Sequence, residues 1–122
     1  MKIVLVDDDP DLLEILYLAL EQDGHNVTTS PAGAPIVPLL KSDPPDVLIT
    51  DLMMAELTGL ELCEMIKESA RMSGMKVILM SARTDDLWKT KAKECGAAGF
   101  IDKPIDPITF AADVDQIVAN AT

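Results

Sequence analysis

Positive charge is scarce in this chain. Ten Lys and Arg face 21 Asp and Glu, and the formal net charge is −11. Nucleic acids and anionic membranes are gripped by basic surfaces, so neither is expected as a partner. Aromatic residues are scarcer still, with one Trp, one Tyr and two Phe, too few for a convincing flavin-stacking site. Cysteine is limited to Cys63 and Cys95, without CxxC spacing or a nearby histidine. A disulfide framework or a cysteine-based metal site is therefore not expected, and both are read as free thiols of a reducing compartment. No apolar run approaches the ~18 residues of a membrane span. Met1-Lys2 leads into only four apolar residues before an aspartate run, which is not a signal peptide. The expectation is a soluble cytoplasmic domain with no membrane attachment.

What is present is a core. Apolar residues make up 48% of 122 positions, which suits a single domain over 1–122. Short apolar runs alternate with longer amphipathic ones. Strands are expected at Ile3–Val6, Asn26–Ser30, Val47–Thr50, Lys76–Met80 and Gly99–Asp102. Near-continuous apolar strands imply burial on both faces, hence a parallel sheet covered by helices. The spacing predicts helix 1 over Pro10 to about Asp23, with Leu12, Leu16 and Leu20 on one face and Gly24 as its stop. Helix 2 falls near Ala32–Lys41, shortened or delayed by Pro35 and Pro38. Helix 3 covers about Gly59–Ala70. Helix 4 opens at Thr84, carries Asp85 and Asp86 in its first turn and ends before Gly96. Helix 5 opens with Asp106-Pro107 and turns Phe110, Val114 and Ile117 to one side. Five strands alternating with five helices make a doubly wound α/β domain. His25 falls in a turn and is expected to be solvated.

In such a sheet ligands bind beyond the carboxyl ends of the strands. Strand 1 ends in Asp7 and Asp8, strand 3 in Asp51, strand 4 in Ser81, and strand 5 in Asp102 and Lys103. Taken singly, each is an ordinary polar loop residue. Jointly, three carboxylates, a hydroxyl and an ammonium meet on one edge. Neighbouring carboxylates repel, and a divalent cation or a lysine relieves the repulsion. Magnesium suits the pocket, because it takes hard oxygen ligands, one or two carboxylates and a substrate phosphate. A carboxylate can also act as a nucleophile toward phosphorus. Lysine and serine then bind the transferred phosphoryl oxygens. Asp9 precedes Pro10 and is read differently, as the cap of helix 1.

The stretches "IVLVDDDPDLL", "PDVLITDLMM" followed by "TGLEL", "VILMSA" and "GAAGFIDKPI" span most of the chain. Their order and spacing resemble the receiver domain of bacterial two-component response regulators. The resemblance implies a (βα)5 flavodoxin-like fold, a five-stranded parallel sheet in order 2-1-3-4-5 flanked by five helices. It implies a phosphoacceptor in a two-component phosphorelay, charged by a histidine kinase or phosphotransfer protein and read by a further protein partner. Asp51 matches the phosphoacceptor. Asp8 matches the direct magnesium ligand, Asp7 acts nearby through water, and the Met53 carbonyl completes the set. Lys103 matches the phosphoryl-binding lysine, ahead of a Lys103-Pro104 bond that is usually cis in the family. Ser81 matches the switch hydroxyl and Phe100 the aromatic that turns inward with it. Such a domain is no enzyme toward separate substrates, though it assists its own phosphorylation and dephosphorylation.

Some positions depart from the family pattern. Ala55 stands where a proline is usual and Thr58 where a second aspartate is usual, although threonine can cap helix 3 equally. Phe100 has no tyrosine hydroxyl. Met53 and Arg83 flank the phosphoacceptor, where residues bear on dephosphorylation rate. Helix 5 has no Arg or Lys to answer Lys89, Lys91 and Lys93 of helix 4. A stand-alone monomer or weak dimer is therefore favoured over the charge-paired dimer of many DNA-binding regulators. An alternative reading, a haloacid-dehalogenase-like phosphatase, would use Asp7 as nucleophile and Asp9 as acid/base. It lacks the further acidic pair that chemistry needs. A flavodoxin-type carrier would need a hydroxyl-rich phosphate loop where the aspartates stand.

Overall fold

A computed structural model describes residues 1–53, 57–72, 74–82 and 86–121. Strands β1 (Lys2–Val6), β2 (Asn26–Ser30), β3 (Val47–Asp51), β4 (Lys76–Ala82) and β5 (Gly99–Lys103) alternate with helices. The helices are α1 (Pro10–Gln22), α2 (Val37–Ser42), α3 (Gly59–Glu68), α4 (Asp86–Glu94) and α5 (Phe110–Asn120). The strands pair in parallel in the order β2-β1-β3-β4-β5, the flavodoxin-like arrangement.

Strand alternation divides the core into two layers. Ile3, Leu5, Val47, Ile49, Ile78 and Met80 face Leu13, Leu16 and Leu20 of α1 and Phe110 and Val114 of α5. Val4, Val6, Leu48, Val77 and Leu79 face the other way, onto Ile36, Leu40, Leu62, Cys63, Ile66 and Ala92. Both sheet faces are thus dry, which is why the strands read as continuous apolar runs. Edge strand β2 is the exception, with Asn26, Thr28 and Thr29 exposed.

Helix boundaries follow local chemistry. Asp9 caps α1, its carboxylate accepting from the amides of Asp11 and Leu12 at 3.1 and 3.3 Å, with Pro10 in the first turn. The helix ends where Gly24 adopts φ +88. Gly24 N donates to Glu21 O and His25 N to Leu20 O, a Schellman closure. The buried row of α1 starts at Leu13 rather than Leu12, which packs at the margin. Pro35 and Pro38 act as expected. A 3-10 turn covers Ala34–Ile36 and α2 begins only at Val37. Helix α3 stops at Glu68, short of Ala70, and the chain tightens into a 3-10 turn over Ala70–Met72.

Helix 5 differs from the sequence expectation. Asp106 does not cap it. The Asp106 carboxylate accepts from Ile108 N at 2.9 Å in a local turn, and α5 starts at Phe110 after Thr109, whose side chain makes no cap bond. The expected Thr84 opening of helix 4, with Asp85, lies outside the described residues, as do Ala55 and Arg83. The described part of α4 starts at Asp86 and closes on Gly96 at φ +93. Among the described residues no helix is long and apolar enough to cross a membrane.

Candidate functional site

The strand order brings β1, β3, β4 and β5 to one edge with their carboxyl ends together, and the predicted residues meet there. Asp51 is the last residue of β3 and only 8% exposed. Its Oδ2 accepts from Lys103 Nζ at 2.9 Å and its Oδ1 from Met53 N at 3.2 Å. Asp7 follows β1 and is fully buried. Its Oδ2 accepts from the same ammonium at 3.1 Å, and its Oδ1 from Asp9 N at 2.8 Å. Asp8 stands exposed beside them, and one carboxylate oxygen from each of Asp7, Asp8 and Asp51 lies within 4.8 Å of the others.

Strands place Asp51, Ser81 and Lys103, while Asp7 and Asp8 directly follow one. β4 runs two residues further than expected, so Ser81 lies within the strand, paired with Asp102, and Ala82 pairs with Lys103. Strand pairing therefore sets Ser81 and Lys103 on neighbouring strands. Lys103-Pro104 is cis. Ser81 is 1% exposed, and its hydroxyl has no hydrogen-bond partner among the described residues. A buried hydroxyl without a partner costs about 1–3 kcal/mol, so its place at a strand end asks for an acceptor. Phe100 is half-buried on β5 and packs against the α2–α3 layer.

The electrostatics follow from crowding. Burial pushes the Asp7 carboxyl above its usual range, although Asp9 N and Lys103 both pull it down. Burial alone would lower the Lys103 ammonium. Its hydrogen bonds to Asp51 and Asp7 outweigh that and hold it above the ordinary lysine value. Lys103 is thus charged throughout the physiological range. Three carboxylates against one ammonium leave an excess of negative charge, which matches the donor set of a hard divalent cation.

Two residues were missed by sequence reasoning. Gly59 opens α3 directly behind the site: a Cβ there would lie 2.5 Å from Asp51 O and 2.9 Å from a Leu79 methyl. The one signal was a glycine at a helix start. Thr58 caps that helix in a reciprocal box with Glu61, as the sequence suggested, with Glu61 N donating to Thr58 Oγ1 at 3.1 Å. His25 is the second. It is not solvated. Its ring is 9% exposed, and Nε2 lies 3.0 Å from Asp23 and 3.2 Å from Asp115, ninety residues away. Such a partner is invisible to local sequence reasoning. Trp88 is a surface residue with Lys91 Nζ 4.7 Å above its ring.

Comparison with known proteins gives the same picture. The family model described as "Response regulator receiver domain" matches residues 3–115. The transcriptional regulatory protein CseB of Streptomyces coelicolor is 33% identical over 116 residues, covering 95% of this chain and 48% of that protein. The protein PilH of Pseudomonas aeruginosa is 29% identical, over 98% of both chains. The chain thus spans about half the length of several curated relatives it matches and nearly all of another. The chemotaxis response regulator CheY4 of Vibrio cholerae superposes with a TM-score of 0.87, over 95% of this chain and 97% of that one. At 23% identity it speaks for the fold. Motif order, sheet topology and family match converge, and the chain belongs to the response regulator receiver domains, the phosphoacceptor signalling modules of two-component systems.

Proposed function

We propose that Asp51 is the phosphoacceptor of this receiver. The observation that carries the reading is the meeting of Asp51 Oδ2 with Lys103 Nζ at 2.9 Å, beside the Asp7 and Asp8 carboxylates. Asp7, Asp8 and Asp51, with the backbone carbonyl of Met53, would hold a magnesium ion. When bound it supplies charge neutralisation on phosphoryl oxygens. The donors that would hold it are all hard oxygens, as that ion requires.

The chain's own residues do the rest. A carboxylate oxygen of Asp51 attacks the phosphorus of a phosphohistidine. The new P–O bond forms as the P–N bond breaks, and the imidazole leaves with the bonding pair. Lys103 turns from a carboxylate partner to a partner of the arriving phosphoryl oxygens. Ser81, buried and without a hydrogen-bond partner among the described residues, donates to the same group. Its movement and that of Phe100 bias the surface of α4, β5 and α5 between two states.

The donor is a histidine kinase or phosphotransfer protein docking near α1, whose Ile15 and Leu18 are exposed apolar residues. The recipient is a protein that reads the α4–β5–α5 face. No direct contact with nucleic acid or membrane is part of this reading. The chain assists only its own phosphorylation and dephosphorylation, in the cytoplasm, where its free thiols Cys63 and Cys95 are stable. It acts as a monomer or weak dimer, since α5 carries acidic but no basic side chains.

Intact mass after incubation with acetyl phosphate and magnesium tests the assignment. The wild type gains one phosphate and Asp51→Asn gains none. Label retained in Asp51→Asn but lost in Asp7→Asn would instead fit the phosphatase-type nucleophile.

A further inference from the structure

We propose that Asp23, His25 and Asp115 form a second inorganic site, selective for a first-row transition metal of the zinc type, that ties α5 to the turn after α1. This site is independent of the phosphoacceptor chemistry. It lies before β2, at the opposite end of the strands from Asp51.

Three elements build it. The Schellman closure at Gly24 ends α1 so that Asp23 is its C-cap and His25 begins the next extended segment. Asp115 projects from α5. The three donor atoms all lie within 4.8 Å of one another. His25 Nε2 is 3.0 Å from Asp23 Oδ2 and 3.2 Å from Asp115 Oδ1. In a tetrahedral zinc site, donors at their usual bond lengths stand about 3.3–3.6 Å apart along each edge. The two edges at His25 therefore need only a few tenths of an ångström of expansion to close on an ion. With three protein ligands and Asp23 exposed, the fourth position is left for water.

The ligating groups are also held in place. The His25 ring is nine-tenths buried, with Nε2 facing both carboxylates and Nδ1 3.0 Å from the N-terminal amine, so it is fixed rather than swinging. The carboxylates also crowd each other, one oxygen of each lying within 4.8 Å of the other. The imidazole sets the selectivity, because it favours zinc, copper or nickel over magnesium. The acidic pocket at Asp7, Asp8 and Asp51 offers oxygens only and takes the opposite preference.

Cobalt(II) and zinc titrations into the metal-stripped chain in saturating magnesium test the site. Cys63→Ser and Cys95→Ser are introduced to remove the thiols. One equivalent should bind, with the intense visible bands of four-coordinate cobalt. His25→Ala and, separately, Asp115→Asn should weaken binding at least about tenfold, the least that even outer-shell changes cost. Asp8→Ala should leave it unchanged. Circular dichroism confirms that each variant is folded, and Asp115→Asn serves if His25→Ala is not. Absence of binding with excess metal, wild-type affinity retained in either site variant, or loss in Asp8→Ala would each overturn the proposal. Phosphorylation of Asp51 is measured separately and its outcome bears on neither result.

Discussion

Two demands oppose each other at Asp7. The side chain has no solvent exposure, so its charge is costly, yet the charge is what a cation or Lys103 would use. Burial wins, and the folded-state pKa lies above the unfolded one. A group shifted in this direction favours folding when protonated. Its contribution is complete below the unfolded value and is lost as pH rises through the raised folded value. Asp7→Asn keeps the shape without the charge. In metal-free buffer the variant should therefore be more stable than wild type at neutral pH, and the two should converge below about pH 3.9. Urea melts across pH read the difference. A less stable variant at neutral pH would mean that pairing with Lys103 outweighs burial. The fate of Asp7, Asp8 and Asp9 also shows what a sequence conveys. One helix cap and two pocket carboxylates were legible from a strand end followed by proline. That Asp7 is sealed while Asp8 stays wet was not, because burial depends on what packs over each residue.

Helix α3 shows how an element's seat governs the site. Gly59 lets its first turn pass against Asp51 O, Leu52 and Leu79. Gly59→Ala places a methyl within 2.5 Å of backbone, and α3 or the end of β3 must shift. Overpacking of this kind costs about 1–3 kcal/mol. Thermal melts should show that loss, and the acetyl phosphate reaction should slow as Asp51 moves. A wild-type melting temperature would mean the helix has room to retreat. Strand positions were read nearly to the residue, because continuous apolar runs admit few alternatives. Helix starts were less legible. Asp9-Pro10 caps α1, but Asp106-Pro107 makes only a turn, and α5 waits until Phe110. The same dipeptide gives two outcomes because Phe110 and Val114 must meet the sheet, and that packing chooses where the helix starts.

Across the whole molecule, the acidic pocket is a load on the fold in the absence of a cation. Carboxylates from β1 and β3 are held together by sheet pairing and relieved only partly by Lys103 on β5. A cation that binds the native state alone stabilises it by mass action, by about 2.7 kcal/mol at a hundredfold excess over its Kd. Millimolar magnesium should therefore raise the melting temperature by several degrees. Asp8→Ala should remove most of the rise, while His25→Ala should retain it. An unchanged wild-type melt would argue against the acidic pocket as a magnesium site.

The sequence by itself determined the alternation of strands and helices, the placing of polar residues at strand ends and the match to the receiver family. Each of these depends on local periodicity or on short motifs at set spacing, and one chain carries both. Only the tertiary structure decided that Ser81 lacks a partner among the described residues, that Gly59 is pressed against Asp51 and that His25 meets Asp115. Those facts depend on which distant segments share a face, and the order β2-β1-β3-β4-β5 assigns faces that no local pattern contains.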